Sequence, residues 1–346
     1  MAGYVIKRLL WAGALMLIIS FCTFILFLIV PSVEVERARG TGTTSLTNQY
    51  QLEHKSLPFQ YVHFLWAIVR HGDLGHSYVD RRPVSDILVR ALPVTASLVI
   101  GGSMLWLLMA FPIGILSALR PRSLLDRISM AFVLIGVSAH PIWIGLMFSY
   151  FLGLKLGITP IGGYCKFFHP LGTCGGAVDW AYHLVLPWLT FAFLFAALYA
   201  RMIRAVLIET LSEDYVRTAQ AKGAGRWRVL RRHVLRNALM PVVTMLGMDV
   251  GLAFGGVVFV ETVYSLPGIG NRLVRALPAK DLPVLMGVVL VVSLAVVAAN
   301  LIVDLAYRWL DPKIRLAPSG EGRPVRFPRL SVSAESQKVG VSGSPT

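Results

Sequence analysis

The chain has 346 residues, of which 55% are hydrophobic and 15% charged, with a mean hydropathy of +0.66 and a formal net charge of +15. Soluble domains carry about one charged residue in four, so water as the sole solvent is excluded. The positive balance suits either nucleic acid or a membrane surface, and the placement of the basic residues decides between them.

A helix crosses a bilayer on about 20 apolar residues, because its backbone polar groups are satisfied within the segment itself. Six stretches approach that length: Leu9 to Val30, Pro93 to Leu119, Ile128 to Gly153, His183 to Ala200, Leu239 to Val263 and Pro283 to Tyr307. The fourth is the shortest. No tandem repeat and no long strand-like alternation accompanies them, so the expected fold is all-α, a polytopic bundle of six transmembrane helices. Lys7 and Arg8 precede the first stretch as they would in a secretory signal. That run is too long for a signal core and no convincing cleavage site follows it, so it is read as a span. With the N-terminus inside, 21 of the 33 basic residues fall in cytoplasmic segments, against 5 in the two short outer loops. This is the positive-inside pattern, and it places both termini in the cytoplasm.

After the first span, the outer segment is polar at first and then aromatic and aliphatic from Phe59 to Val69. Residues 1–92 are therefore expected to form the first span plus a small extracytoplasmic cap, and residues 93–316 a core domain with the other five spans. Gly101 and Gly102 in the second span, and Gly247, Gly251, Gly255 and Gly256 in the fifth, let helices approach closely in lipid. The stripe of Gly247, Gly251 and Gly255 also suits a pathway lining, and periodicity does not separate the two readings. In the third span His140 precedes Pro141, which predicts a kink with a hydrogen-bonded histidine rather than a catalytic base. Cys165 and Cys174 share an outer loop, GGYCKFFHPLGTCGG, in a compartment where a disulfide persists. His169 is the nearby imidazole, and without a paired ligand motif no metal site is expected there.

The cytoplasmic loop between the fourth and fifth spans, residues 201–238, is more patterned than a connector requires, and its pattern runs on to Val243: ETLSEDYVRTAQAKGAGRWRVLRRHVLRNALMPVV. It reads as two short helices. Ser212 is placed to cap the first, Glu213 and Asp214 suit its positive N-terminal dipole, and Gly223 supplies a left-handed residue to end it. Tyr215, Ala219 and Lys222 would share a face, with Ala219 and Ala221 small enough to admit another protein surface. A second, basic helix from Arg226 to Arg236 returns the chain to the membrane. Its arginines suit anionic lipid or an acidic partner surface better than nucleic acid. Asp249 lies deepest of the intramembrane carboxylates, either lining a solvated pathway or pairing with a polar group on another helix. Glu261 and Asp304 lie near opposite interfaces and read as structural anchors. Residues 317–346, rich in Ser, Pro and Gly, read as a disordered tail.

The loop resembles the coupling helix of binding-protein-dependent ABC importer permeases, in which an alanine is followed four residues later by a glycine, as Ala219 and Gly223 are here. The glutamate of the general pattern is replaced by Arg217, and Pro241 lies further on than the usual Leu-Pro pair. YVRTA, AKG and LRNAL are instead similar to the dipeptide, oligopeptide and nickel permease subfamily. So are GDLGHSYVDRRPVSDILVRALPVT, LPWLTFAFLFAALYARMIRA, VETVYSLPGIGNRLVRAL and NLIVDLAYRWLDPKIR, in that order along Met1 to Arg315. The resemblance implies one permease of a complex with a second homologous permease, cytoplasmic ABC ATPase subunits that use ATP, and an extracytoplasmic solute-binding protein. Glu213, Asp214, Tyr215, Arg217, Ala219, Ala221, Lys222 and Gly223 would then form the ATPase-coupling loop. No GxxxxGK[ST] loop is present, so no cofactor is expected on this chain itself. HExxH and GxSxG are absent too, which argues against an enzyme. A proton-coupled secondary transporter, which would use an intramembrane carboxylate, is the rival reading.

Overall fold

The computed structural model describes residues 2–29, 57–167 and 174–310. Residues Met1–Tyr307 form one compact unit, and Arg308–Thr346 a second, represented among the described residues by the end of the last helix alone. The tail at 317–346, the early part of the cap and His169 lie outside the described residues. Apart from an isolated bridge between His76 and Pro83, the regular structure among the described residues is helical. In chain order the helices are α1 (Ala2–Ile29), α2 (Leu57–His71), α3 (Val84–Leu119), α4 (Leu124–Ser138) and α5 (Pro141–Phe148), the last continued by a π-helical stretch, Ser149–Lys155. There follow α6 (Ala177–Ser212), α7 (Asp214–Ala221), α8 (Arg226–Val229), a π-helical turn (Leu230–Val234), α9 (Leu235–Val263), α10 (Ile269–Ala276) and α11 (Leu282–Leu310).

Among the described residues four helices are long and apolar enough to cross a membrane: Ile6–Ile25 within α1, all of α3 and α6, and Leu282–Val303 within α11. A fifth crossing is available to α4 and α5 as a bent pair; of the expected span Leu239 to Val263, the described residues give only the shorter apolar stretch Ala253–Val263 within α9. Two boundaries differ from expectation. The second span does not start at Pro93, since α3 runs unbroken from Val84, and residues 92 and 93 lie inside it. The fourth, His183 to Ala200, is the middle of a 36-residue helix. Pro93 and Pro187 each forfeit one backbone hydrogen bond, and burial on the surrounding turns holds the helices through them. At 1.5 Å per residue α3 and α6 are each about 54 Å long, well beyond a hydrocarbon core of about 30 Å.

The third expected span, Ile128 to Gly153, is not one helix. α4 and α5 meet at 113°. Ala139 and His140 are both extended, because proline disfavours helical backbone in the residue before it and cannot donate to the preceding turn. His140 caps the new helix, its Nδ1 accepting from the Ile142 amide at 3.3 Å.

The core forms around α6. Phe191, Ala192, Ala196, Ala197, Tyr199 and Ala200 are buried there, and the run of alanines lets α3 and α4 lie close. A methyl group on Gly114 would meet Ile203 at 2.8 Å and the Ala200 carbonyl at 2.9 Å. Gly101 and Gly102 face Trp188 and Phe191 with no room for a side chain. Trp106 stacks on Phe195 with ring centroids 4.5 Å apart. By contrast Leu10, Trp11 and Ile18 on α1, and Met104 and Leu108 on α3, are exposed, as lipid-facing residues are. α2 is fastened to α1 by a 2.8 Å hydrogen bond between Tyr61 and Ser20, with Phe21 and Phe24 against the Tyr61 ring.

Polar ties cross this apolar packing. Glu261, read from sequence as a structural anchor, is fully buried in the protein: its carboxylate accepts from Thr95 at 2.6 Å and from the Asn271 amide at 3.0 Å, at the N-terminus of α10. Thr95 in turn accepts from the Ile269 amide, and the Asn271 side chain donates to the Leu266 carbonyl. Any side chain on Gly268 would land on the Glu261 carboxylate, which explains the glycine. Tyr264 donates to the Gly145 carbonyl and pairs with Thr190, joining α5, α6 and α9. Asp281, also buried, accepts from Ser77 at 2.5 Å and from the Tyr78 amide at 3.1 Å.

Gly268→Ala should displace Glu261 and forfeit hydrogen bonds to a buried charged group, lowering stability by about 1–3 kcal/mol. A detergent-solubilised unfolding titration checks this, and an unchanged midpoint would show that the Glu261 cradle contributes nothing.

Candidate functional site

α6 ends at Ser212, Glu213 turns the chain with extended backbone, and α7 begins at Asp214. Ser212 is not the cap that its position suggests. Because α6 continues through it, the Ser212 hydroxyl donates back to the Glu209 carbonyl at 2.6 Å, and Glu213 occupies the cap position without a side-chain hydrogen bond. Asp214 lies in the first turn, where the helix dipole favours a carboxylate. At the other end the Gly223 amide donates to Gln220 and the Ala224 amide to Ala219, at 2.9 and 3.2 Å. Gly223 has φ +80°, a value that strains any residue with a Cβ.

α7 has two distinct faces. Val216 is fully buried in the same apolar cluster as Leu207, Val229, Leu230 and Val234, and Ala219 and Ala224 pack against that cluster. The expected face of Tyr215, Ala219 and Lys222 is therefore divided. Ala219, three residues from Val216, turns inward, while Tyr215 and Lys222 are exposed. Exposed with them are Glu213, Asp214, Arg217 and Ala221. Arg217 and Asp214 approach only to 4.0 Å with both side chains largely in solvent, a pair that contributes little. Trp227, 68% exposed, adds a large apolar surface just beyond Gly223.

The expected separate basic helix, Arg226 to Arg236, is instead the lead-in to α9: α8, the π-helical turn and α9 follow one another without a break. A π-helical turn widens the repeat, which brings residues about five apart into line. Val229 and Val234 are five apart, and both are buried. Arg228 and Arg231 are exposed.

Two turns before α6 ends, Arg204 makes a forked ion pair with Asp126 of α4, Nε to Oδ1 at 2.7 Å and Nη2 to Oδ2 at 3.0 Å. Asp126 also accepts from Ser117 and from the Arg122 amide, and its own amide donates to Ser123, the cap of α4. The ends of α3, α4 and α6 are thus joined at one carboxylate close to α7. Sequence reading missed this node, although the Ser123-x-x-Asp126 spacing at the start of an apolar run is a capping signature.

Asp249 of α9 is half-buried and accepts from Tyr199 of α6 at 2.8 Å. In the fifth-span stripe, Gly251 lies 3.5 Å from Val296 of α11 when given a Cβ, whereas Gly255 meets no neighbour within 4 Å. The Asp304 side chain lies outside the described residues. Cys165 and Cys174 are joined by a disulfide with Cα atoms 5.4 Å apart. Beside them stands His183 of α6, which no sequence spacing connects to the pair.

Removing one partner of a largely buried ion pair leaves the other uncompensated, so Asp126→Ala should cost about 3 kcal/mol, and a second change, Arg204→Met, should recover part of it. Unfolding titrations of the three variants check this; additive losses would show that the pair is not coupled.

Residues 110–316 match the family model described as binding-protein-dependent transport system inner membrane component, and residues 1–99 match its N-terminal counterpart. The dipeptide transport system permease protein DppB of Escherichia coli (strain K12) is 35% identical over 273 residues, covering 74% of this chain and 80% of DppB. A probable peptide ABC transporter permease protein, y4tP, of Sinorhizobium fredii is 34% identical over 319 residues, covering 91% of this chain and 100% of y4tP. Among solved structures, an inward-facing form of the MetNI methionine ABC transporter shares the fold, with a TM-score of 0.50 at 19% identity over 65% of this chain and 96% of that one. The helical membrane architecture and these matches together show that this chain belongs to the family of binding-protein-dependent transport system inner membrane components, and is a membrane permease subunit rather than an enzyme.

Proposed function

We propose that this chain is one of two permease subunits of an ATP-driven importer for peptides, and that α7 with the turn at Gly223 is the element through which partner ATPase subunits move it. The observation that carries this reading is the two-faced α7. Its inner side is rooted in the core through Val216, and its outer side offers Tyr215, Arg217, Ala221 and Lys222 to another surface. A surface helix exposes its outer face in any case, and membership in a family of ABC transporter permeases is what supports an ATPase subunit as the partner for it. The peptide substrate is inferred from relatives named as dipeptide and peptide permeases. A second permease would complete the pathway, and an extracytoplasmic solute-binding protein would deliver the substrate. ATP would be bound and hydrolysed by the partners.

Coupling of this kind requires that the ATPase and the pathway bias one element with two positions. α7 is suited to it: the Asp126–Arg204 node braces α6 just before α7, so a rigid-body displacement of α7 is passed to α6 rather than absorbed at its end. Asp249, on the α9 side facing Tyr199, is our candidate for a pathway residue that meets a peptide amine.

Gly223→Val is expected to keep ATP hydrolysis in the reconstituted importer while peptide uptake per ATP falls by about 5- to 150-fold, the span of typical coupling energies. Gly225→Val is the control: a Cβ meets nothing within 4 Å at either position, and only Gly223 has a positive φ. Wild-type uptake by a well-expressed Gly223→Val complex would count against the assignment. Asp249→Asn keeps an acceptor for Tyr199 but removes the charge, so uptake of peptides with a free amine should fall more than uptake of N-acetylated ones. Equal loss for both classes would place Asp249 in the scaffold.

A further inference from the structure

The loop before α6 and the first turns of that helix assemble a group of soft ligand atoms. Sulfur atoms of Cys165 and Cys174 and a ring nitrogen of His183 all lie within 4.8 Å of one another. Cys165 is buried, at 1% exposure, His183 is half-buried, and Cys174 is exposed. The Nδ1 of His183 is 2.8 Å from the Asp179 carbonyl oxygen, which can only accept, so the proton sits on Nδ1 and the lone pair on Nε2. That arrangement is the one found where an imidazole serves as a metal ligand. Asp179 supports the loop as well, its carboxylate accepting from the Gly175 amide at 3.3 Å, next to Cys174.

The distances fit a metal. In a tetrahedral zinc site, with Zn–S near 2.3 Å and Zn–N near 2.0–2.1 Å, a sulfur and a nitrogen ligand lie about 3.6 Å apart. Cys165 Sγ is 3.7 Å from His183 Nε2 and 3.4 Å from Nδ1, so the separation is already that of a tetrahedral site and the ring must tilt to aim the Nε2 lone pair at a shared ion. We propose that Cys165, Cys174 and His183 form a redox-gated site for a thiophilic divalent metal such as Zn²⁺, closed while the disulfide stands and opened by a dithiol reductant. The reductant supplies two electrons and two protons and becomes a disulfide. The Sγ–Sγ bond of the chain breaks, and two thiols form. Metal binding then releases both thiol protons to solvent, and two thiolates balance the charge of the ion. The sulfurs must separate to about 3.8 Å for tetrahedral geometry, and exposed Cys174 is the one with room to move. Water fills the fourth position. The two closed forms differ in what they join: the disulfide links the loop to itself, whereas the metal links the loop to α6.

The test uses the full chain in detergent with Cys22, the other thiol, replaced by serine. Phosphine-reduced and oxidised protein are titrated with Co²⁺ under nitrogen, reading thiolate-to-cobalt charge transfer and the ligand-field bands, and Zn²⁺ competition gives the affinity. The expected result is one tetrahedral Co²⁺ per reduced chain, none in the oxidised chain or in the C165S/C174S variant, and Zn²⁺ affinity at least about tenfold weaker in His183→Ala. Should His183→Ala fold poorly, His183→Gln replaces it, and circular dichroism confirms the fold before titration. Absence of charge transfer in the reduced chain, or unchanged spectrum and affinity without His183, would overturn the proposal.

Discussion

In hydrocarbon, one apolar helix gains little by leaving lipid for another, so association depends on close packing and on polar groups that must find partners inside the protein. This constraint shapes the whole molecule. Small residues on α3 and α4 bring backbones to α6, and several buried polar side chains then join elements distant in sequence. Glu261 gathers Thr95 and the start of α10, Tyr264 gathers Thr190 and Gly145, and Tyr199 meets Asp249. Losing any such partner would strand a polar atom in a medium that offers no replacement.

The same rule accounts for the placement of α7. α6 is surrounded by ties along its middle and fixed near its end by Arg204 and Asp126, and beyond them Leu207 and then Val216 of α7 keep one side of the chain in the apolar cluster. α7 is therefore attached firmly on one side and open on the other. A docking element needs both properties: without Val216 in the core it would swing, and without exposed Tyr215 and Lys222 it would have nothing to present.

Much of this was legible in the sequence, and the rest fails for identifiable reasons. Hydropathy located the apolar stretches because it measures what solvent a segment prefers. It misplaced the ends of α3 and α6 because a helix does not stop where its solvent changes: Arg201 and Arg204 continue α6 beyond the apolar run. His140-Pro141 announced a kink, but not a 113° corner, which arises because Ala139 is extended as well. Gly223 could be assigned to the end of α7 from local signals alone. Arg204 could not be matched to Asp126, which is 78 positions away, nor His183 to Cys165, since these contacts depend on which helix faces meet. The inward turn of Ala219 was missed for a related reason: on a helix of eight residues, only the neighbouring cluster reveals which side is inside.

α6 also has a mechanical consequence. Its N-terminal turns carry Asp179 and His183, which hold the disulfide loop, and its last residue adjoins α7. Treated as a stiff beam about 54 Å long, it converts a tilt of about 5° into a relative displacement of nearly 5 Å between its two ends. Because the tightest packing, Phe191 to Ala200, lies near the middle of the helix, such a tilt would divide the displacement about equally between the two ends, in opposite directions.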